Sequence, residues 1–166
     1  MSKLKLQVGA DNSILRARAV EIPVAQSRDW PEIIDGMRRL MDKNSGIGIA
    51  APQVGISERL FLIRRMDDNS PSTEVTPFFN PEILWKSQEM VVSQEGCLSL
   101  PGIEGKVLRY AKVKVKYKNL DWEEVEEDLN DLNAIIFQHE LDHLDGILFI
   151  DKLIEKVQYS SHDNVL

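Results

Sequence analysis

The chain has 166 residues, 43% apolar and 28% charged, which suits one soluble globular domain large enough to bury a core. No apolar run reaches the roughly 18 residues that a membrane-spanning helix needs, and a net charge of −7 speaks against nucleic acid as the partner. The single cysteine excludes an internal disulfide, and MSKLKLQVGADNS lacks the apolar core of a secretion signal, so a cytoplasmic location is expected.

In chain order, PEIIDGMRRLMDK (31–43) places Ile33, Ile34, Met37, Leu40 and Met41 at helical spacing. Asp29 can cap that helix, Pro31 suits its first turn, and Asn44, Ser45 and Gly46 end it. RLFLIRR (59–65) reads as a strand, MDDNSPSTEVT (66–76) as a polar loop, and PFFNPEILW as extended. KVKVKYK (112–118) alternates strictly, so Val113, Val115 and Tyr117 should face a core while the lysines face water. ILFI (147–150) is a short apolar run of strand type, and the chain after about residue 154 reads as an appendage or a poorly ordered tail.

The segment DLNDLNAIIFQHELDHLDG carries Leu132, Ile135, Ile136, His139 and His143 at i, i+3, i+4, i+7 and i+11. That spacing predicts one helix with these side chains on a single core-facing stripe, capped by Asp128 or Asn130 and closed by Gly146. Two core histidines could simply be satisfied by hydrogen bonds. Here, however, two imidazoles point the same way one turn apart, ~5.4 Å, with Glu140 at the edge of the same face. Unpaired, three such groups would cost several kcal/mol against a core, and a divalent cation relieves that cost. His139-Glu140-Leu141-Asp142-His143 fits H-E-x-x-H, two metal ligands with a general base beside them.

A catalytic metal takes a third protein ligand and keeps a position for water. Cys97, in SQEGCLSLPG, sits at a turn marked by Gly96 and Pro101-Gly102, and the competing donors are Asp142, Asp145 and Asp151. Asp142 falls on the wrong side of the helix, and spacing alone does not decide among the others. A third feature is SGIGIAAPQVG (45–55). Gly46 to Ala51 matches G-x-G-x-x-G/A, but a helix precedes it and Pro52 follows, which is the wrong context for a dinucleotide fingerprint. The small residues imply a close approach of backbone to another group, and Gln53 adds an amide that could polarise a carbonyl.

Together, Gly46-Ile47-Gly48-Ile49-Ala50-Ala51-Pro52-Gln53, Glu95-Gly96-Cys97-Leu98-Ser99 and His139-Glu140-Leu141-Asp142-His143 resemble the three ordered motifs of the peptide deformylases. The resemblance spans roughly residues 13–153. It implies an α+β fold, antiparallel sheets around a central helix that carries both histidines. It also implies one divalent metal per chain, Fe2+ first, with Zn2+, Ni2+ or Co2+ also compatible, held by Cys97, His139 and His143. Glu140 would shuttle the proton, while Gln53 and the Leu98 backbone N–H would hold the developing oxyanion. Glu95 would pair with Arg109 to buttress the cysteine loop. The substrates would be N-formylmethionyl nascent peptides, which lose formate. A pocket for the methionine is expected from Ile47, Leu132, Ile135 and Ile136, with Gly48 meeting the substrate backbone.

Several segments depart from the family pattern. VGADNSILR lacks the proline-containing stretch usual before ILR, and Asp121 is followed by Trp122 where Asp-Gly is usual. Asp131-Leu132-Asn133 stands where a glycine and apolar residues are common, which implies a more polar pocket entrance. Ribosome association is a property of many bacterial members through a basic C-terminal helix, but EKVQYSSHDNVL has one lysine and two acids and does not support it. His162 in that tail reads as a surface residue. A zinc endopeptidase would share H-E-x-x-H but give no reason for EGCLS.

Overall fold

The computed structural model describes residues 4–24, 28–67, 70–155 and 158–159. A short helix α1 (Ser13–Arg16) is capped by Asn12, whose side chain accepts from the backbone N–H groups of Ile14 and Leu15. Helix α2 (Trp30–Lys43) starts as its sequence implies: Asp29 accepts from Glu32 N at 3.1 Å and Pro31 lies in the first turn. Its Trp30, Ile33, Met37 and Met41 are buried.

The strands are β1 (Gly48–Ala50), β2 (Leu60–Asp67), β3 (Ser70–Lys86), β4 (Met90–Gly96), β5 (Ile103–Tyr110), β6 (Lys112–Lys118) and β7 (Glu124–Asn130). Helix α3 (Asp131–Leu144) follows, and β8 (Gln158–Tyr159) comes last. Among the described residues they form two antiparallel sheets, ordered β1-β2-β3-β6-β7 and β4-β5-β8. Helix α3 packs against β1, β2, β6 and β7 of the larger sheet and against β5 of the smaller. The fold is α+β, as the motifs implied. No described helix is long and apolar enough to cross a membrane.

Strand β6 behaves as its alternation dictates. Val113, Val115 and Tyr117 are buried, while Lys114, Lys116 and Lys118 pair with Glu126, Glu82 and Glu124. At the β6–β7 turn, Asn119 Oδ1 accepts from Asp121 N and Glu123 N. Trp122 takes φ +61° there, and its ring packs 5.2 Å from that of Phe79. A side-chain turn and an aromatic lid thus replace the usual glycine.

Three sequence expectations need correction. Residues 66–76 are not a loop: Met66 pairs with Pro71, Asp67 with Ser70, and the run continues into β3. The hairpin end is polar because little of it is buried, and Arg64 ties it by donating to the carbonyls of Ser72 and Thr73. Residues 147–150 do not form a strand. Phe149–Lys152 is a 3-10 turn, with Asp151 accepting from Leu148 N at 2.9 Å, and the run is apolar because Leu148 and Phe149 pack into a cluster with Leu15 and Cys97. The cap of α3 also differs: Asp128 lies within β7 opposite Lys114, and Asn130 sits at the cap position without a side-chain bond to the helix. Asp131 takes φ +50°, so the chain turns from strand into helix with no loop. Gly146 closes the helix as expected, at φ +73°, and a Cβ there would press on the carbonyl of Arg16. His162 and the other residues after 159 lie outside the described residues.

The core between α3 and the larger sheet is aromatic. Phe137 meets Phe61 edge-on at 5.1 Å and Phe78 at 5.4 Å. Phe137→Ala should therefore cost about 3–5 kcal/mol, lowering the urea midpoint, whereas Val92→Ala at a 57% exposed position should stay within about 0.5 kcal/mol.

Candidate active site

Helix α3 has two working sides. Ala134, Ile136, Phe137 and Leu144 belong to the aromatic core, while Leu132, Ile135, His139 and Glu140, together with Ile136, line a cleft of about 110 Å³. The histidine side was expected to face the core; His139 instead opens onto the cleft, because the helix lies between two sheets and is covered on nearly every side. The His139 and His143 rings are 5.1 Å apart at 74°.

Cys97 follows the last residue of β4, in a tight turn where Leu100 N donates to Cys97 O at 2.9 Å. The turn carries the thiol to His143, with Sγ 3.3 Å from Nε2. One donor atom each from Cys97, His139 and His143 lies within 4.8 Å of the others. His139 Nδ1 is 2.9 Å from Glu95 Oε2, which orients the ring and leaves Nε2 for the Cys97 side. Sulfur and two imidazoles form a donor set suited to zinc or ferrous iron, so these residues fit one divalent metal. His143 Nδ1 and Glu140 Oε2, both buried beside it, have no hydrogen-bond partner among the described residues. The competing acids are engaged elsewhere: Asp145 with Arg59 and Asp151 with Arg16.

Glu95 and Arg109 meet as expected. Arg109 Nε and Nη2 donate to the two Glu95 oxygens, each at 2.8 Å, and Nη1 donates to Asp142 at 2.5 Å. Lys152 Nζ bonds the other Asp142 oxygen at 2.7 Å. Burial alone would raise the Glu95 pKa, but the bonds from Arg109 and His139 prevail and bring it down to about 2. Burial works downward on His139, yet its bonds to Cys97 and Glu95 hold it well above the usual value. Burial, then the charge on His139, drives His143 well below its own. Glu140 lies where burial dominates, which pushes its carboxyl up to about 7.

Gln53 sits in a 3-10 turn, Ala51–Val54, directly after β1. Its Oε1 accepts from Ala50 N at 2.8 Å, and Nε2 donates to Ser99 Oγ at 3.1 Å and lies 3.5 Å from Cys97 Sγ. Leu98, Ile47 and Gly48 also line the cleft. A Cβ at Gly48 would meet the Glu140 carboxylate. Asn133 does not make the entrance more polar: its amide turns away, accepting from Met66 N at 2.9 Å and donating to Met66 O at 3.0 Å.

Sequence reasoning missed several supports. Asp142, a candidate ligand by residue type, instead shares Arg109 with Glu95 from its place three residues after His139. Gln138, buried, clamps the backbone of Tyr110 through both its amide atoms. Ser93 and Gln94 line the cleft from β4, whose sidedness only the β4–β5 pairing reveals, and Ser99 Oγ accepts from Gln53.

A family model described as polypeptide deformylase matches residues 5–159. Peptide deformylase 2 of Nostoc sp. is 39% identical over 152 residues, covering 89% of this chain and 84% of its own. Peptide deformylase of Thermotoga maritima is 44% identical over 142 residues, 84% of this chain and 81% of the relative. Among solved structures, the class I type b peptide deformylase from Acinetobacter baumannii with Met-Ala-Ser bound superposes with a TM-score of 0.83. It is 38% identical, with 90% of this chain and 98% of that one covered.

Cys97→Ala should remove or greatly weaken metal binding, because two imidazoles alone remain. The check is metal content of anaerobically purified wild type and variant; full retention in the variant would move the third ligand to another residue.

Proposed function

Because the chain belongs to the peptide deformylase family and is an enzyme, we propose how its residues divide the hydrolysis of N-formylmethionyl nascent peptides. The reading rests on one observation: a thiol, an imidazole and a buried carboxylate line a single largely apolar cleft, and a second imidazole is buried against the thiol. A divalent metal held by Cys97, His139 and His143, with Fe2+ the first expectation and Zn2+, Ni2+ or Co2+ compatible, supplies Lewis acidity toward the formyl oxygen and lowers the pKa of water. Glu95, fixed by Arg109, holds His139 in one tautomer and orientation.

Glu140 accepts a proton from the attacking water as its oxygen bonds to the formyl carbon. The same proton passes to the amide nitrogen as the C–N bond breaks, which releases formate and a free amino terminus. Gln53 Nε2 and the Leu98 N–H donate to the formyl oxygen as it gains charge. The long contact from Gln53 Nε2 to Cys97 Sγ is the bond best able to yield for that purpose. Ile47, Leu132, Ile135 and Ile136 receive the methionine side chain. The Met-Ala-Ser bound by the Acinetobacter relative supports a peptide that begins with methionine. Such substrates arise in the cytoplasm, where we place the protein.

Formate release from formyl-Met-Ala-Ser, set against cleavage of the unformylated peptide, separates this reading from an endopeptidase. Formyl-Met and formyl-norleucine peptides should exceed formyl-Asp by well over about tenfold, since burying a carboxylate in an apolar pocket costs more than the ~1–3 kcal/mol of one methylene. Equal rates would mean that no such pocket operates. Glu140→Gln should keep the metal and lose activity by ~10²–10⁴-fold. A loss of only a few-fold, with metal present, would reduce Glu140 to a packing role.

A further inference from the structure

Gly48 opens β1, the edge strand of the larger sheet, as one of nine glycines in the chain. A glycine within a strand weakens it, so its presence needs a cause. The backbone does not supply one, because Gly48 is absent from the positive-φ glycines, which are Gly9, Gly55, Gly102 and Gly146. The neighbouring side chain does: a Cβ on Gly48 would overlap Glu140 Oε1 and stand 2.8 Å from Cδ and 3.0 Å from Cγ. No other glycine abuts Glu140. Glu140 is 4% exposed, its Oε2 is buried without a hydrogen-bond partner among the described residues, and the helix turn that carries it is pinned by Glu95 on His139 and by Arg109 on Asp142, so a clash falls on the side chain rather than on the helix.

We propose that Gly48 is a positioning residue for the reaction. Its missing side chain sets where the Glu140 carboxylate stands between β1 and α3, and hence where the proton is taken up and delivered. This rests on the assignment of Glu140 as the base. The obstructed atoms are the far end of a flexible side chain, so a methyl group at position 48 displaces the carboxylate and leaves the strand in place. A glycine kept only to admit the substrate backbone predicts something different: a rise in KM with kcat preserved.

The test is a mutant cycle read by kcat, KM, metal content and thermal midpoint on formyl-Met-Ala-Ser. Gly48→Ala should lower kcat on the order of 10²-fold, with KM within about threefold and the metal retained. Adding Glu140→Asp, which withdraws the carboxylate by one methylene, should restore part of the kcat lost in Gly48→Ala. In a Glu140→Ala background, Gly48→Ala should change neither kcat nor midpoint, because nothing is left to displace. Should Gly48→Ala prove unstable, the same background decides: a loss of midpoint that persists without Glu140 overturns the proposal. Additive effects across the cycle, or a change confined to KM, also overturn it. Full kcat in Glu140→Gln would overturn the base assignment and this proposal with it, while a midpoint coupling between the two positions would still register their contact.

Discussion

A buried guanidinium ties the smaller sheet to helix α3. Arg109, 2% exposed, lies on β5 and reaches Glu95 on β4 and Asp142 on α3. Taking a charge of this kind out of water costs about several kcal/mol, which only close pairing offsets. Here two carboxylates bracket it, and burial that would lower the Arg109 pKa is overcome by Glu95 and Asp142, so the cation persists. The geometry then propagates. Helix α3 can present only one rotation to the smaller sheet if Asp142 is to meet Arg109. In that rotation His139 meets Glu95, and His143, one turn further on, meets Cys97. The grouping of Cys97, His139 and His143 is thus a consequence of where one arginine is neutralised.

The same helix explains why some of the molecule was legible in the sequence and some was not. Period-2 alternation in β6 and period-3.6 spacing in α2 each report one buried face and one wet face, and both elements stand as read. H-E-x-x-H was legible because its chemistry depends on i, i+4 spacing alone. The environment of α3 was not, because apolar side chains surround it: Phe137 serves the core while Ile135 serves the cleft, and both look alike in a pattern of apolar residues. Residues 66–76 misled for the opposite reason. A hairpin whose end lies outside the core has no burial to record, so its strands carry loop composition. Leu148 and Phe149 were apolar without being a strand, since a 3-10 turn can plug a cluster as well as a strand can.

Local rules fail where the chain enters and lines the site, which is the usual place for such failures. Asp131 adopts a left-handed backbone at the helix start, and Asn130 offers no side-chain cap. Both follow from running β7 directly into α3, which leaves no slack in the approach to the histidines. The run Gly46–Ala51 is a further compromise. Ala50 and Ala51 are fully buried and the glycines weaken the strand, yet larger side chains would strike Leu98, Met41 or Glu140. Small residues there are shaped by what stands opposite them rather than by any turn they must make.

Two glutamates near the centre show how environment gives identical groups opposite proton affinities. Glu95 is surrounded by donors from Arg109 and His139, so its pKa falls to about 2 and it is a fixed anion. It can orient an imidazole because its charge does not change. Glu140 sits in the cleft wall with one oxygen unpartnered, and burial raises its pKa to about 7. A carboxyl raised to about 7 is the kind of group that the proposed role of Glu140 requires, which a group near 2 is not. The difference does not come from the side chains. It comes from the donors of Arg109 and His139 around Glu95 and from burial without such donors around Glu140.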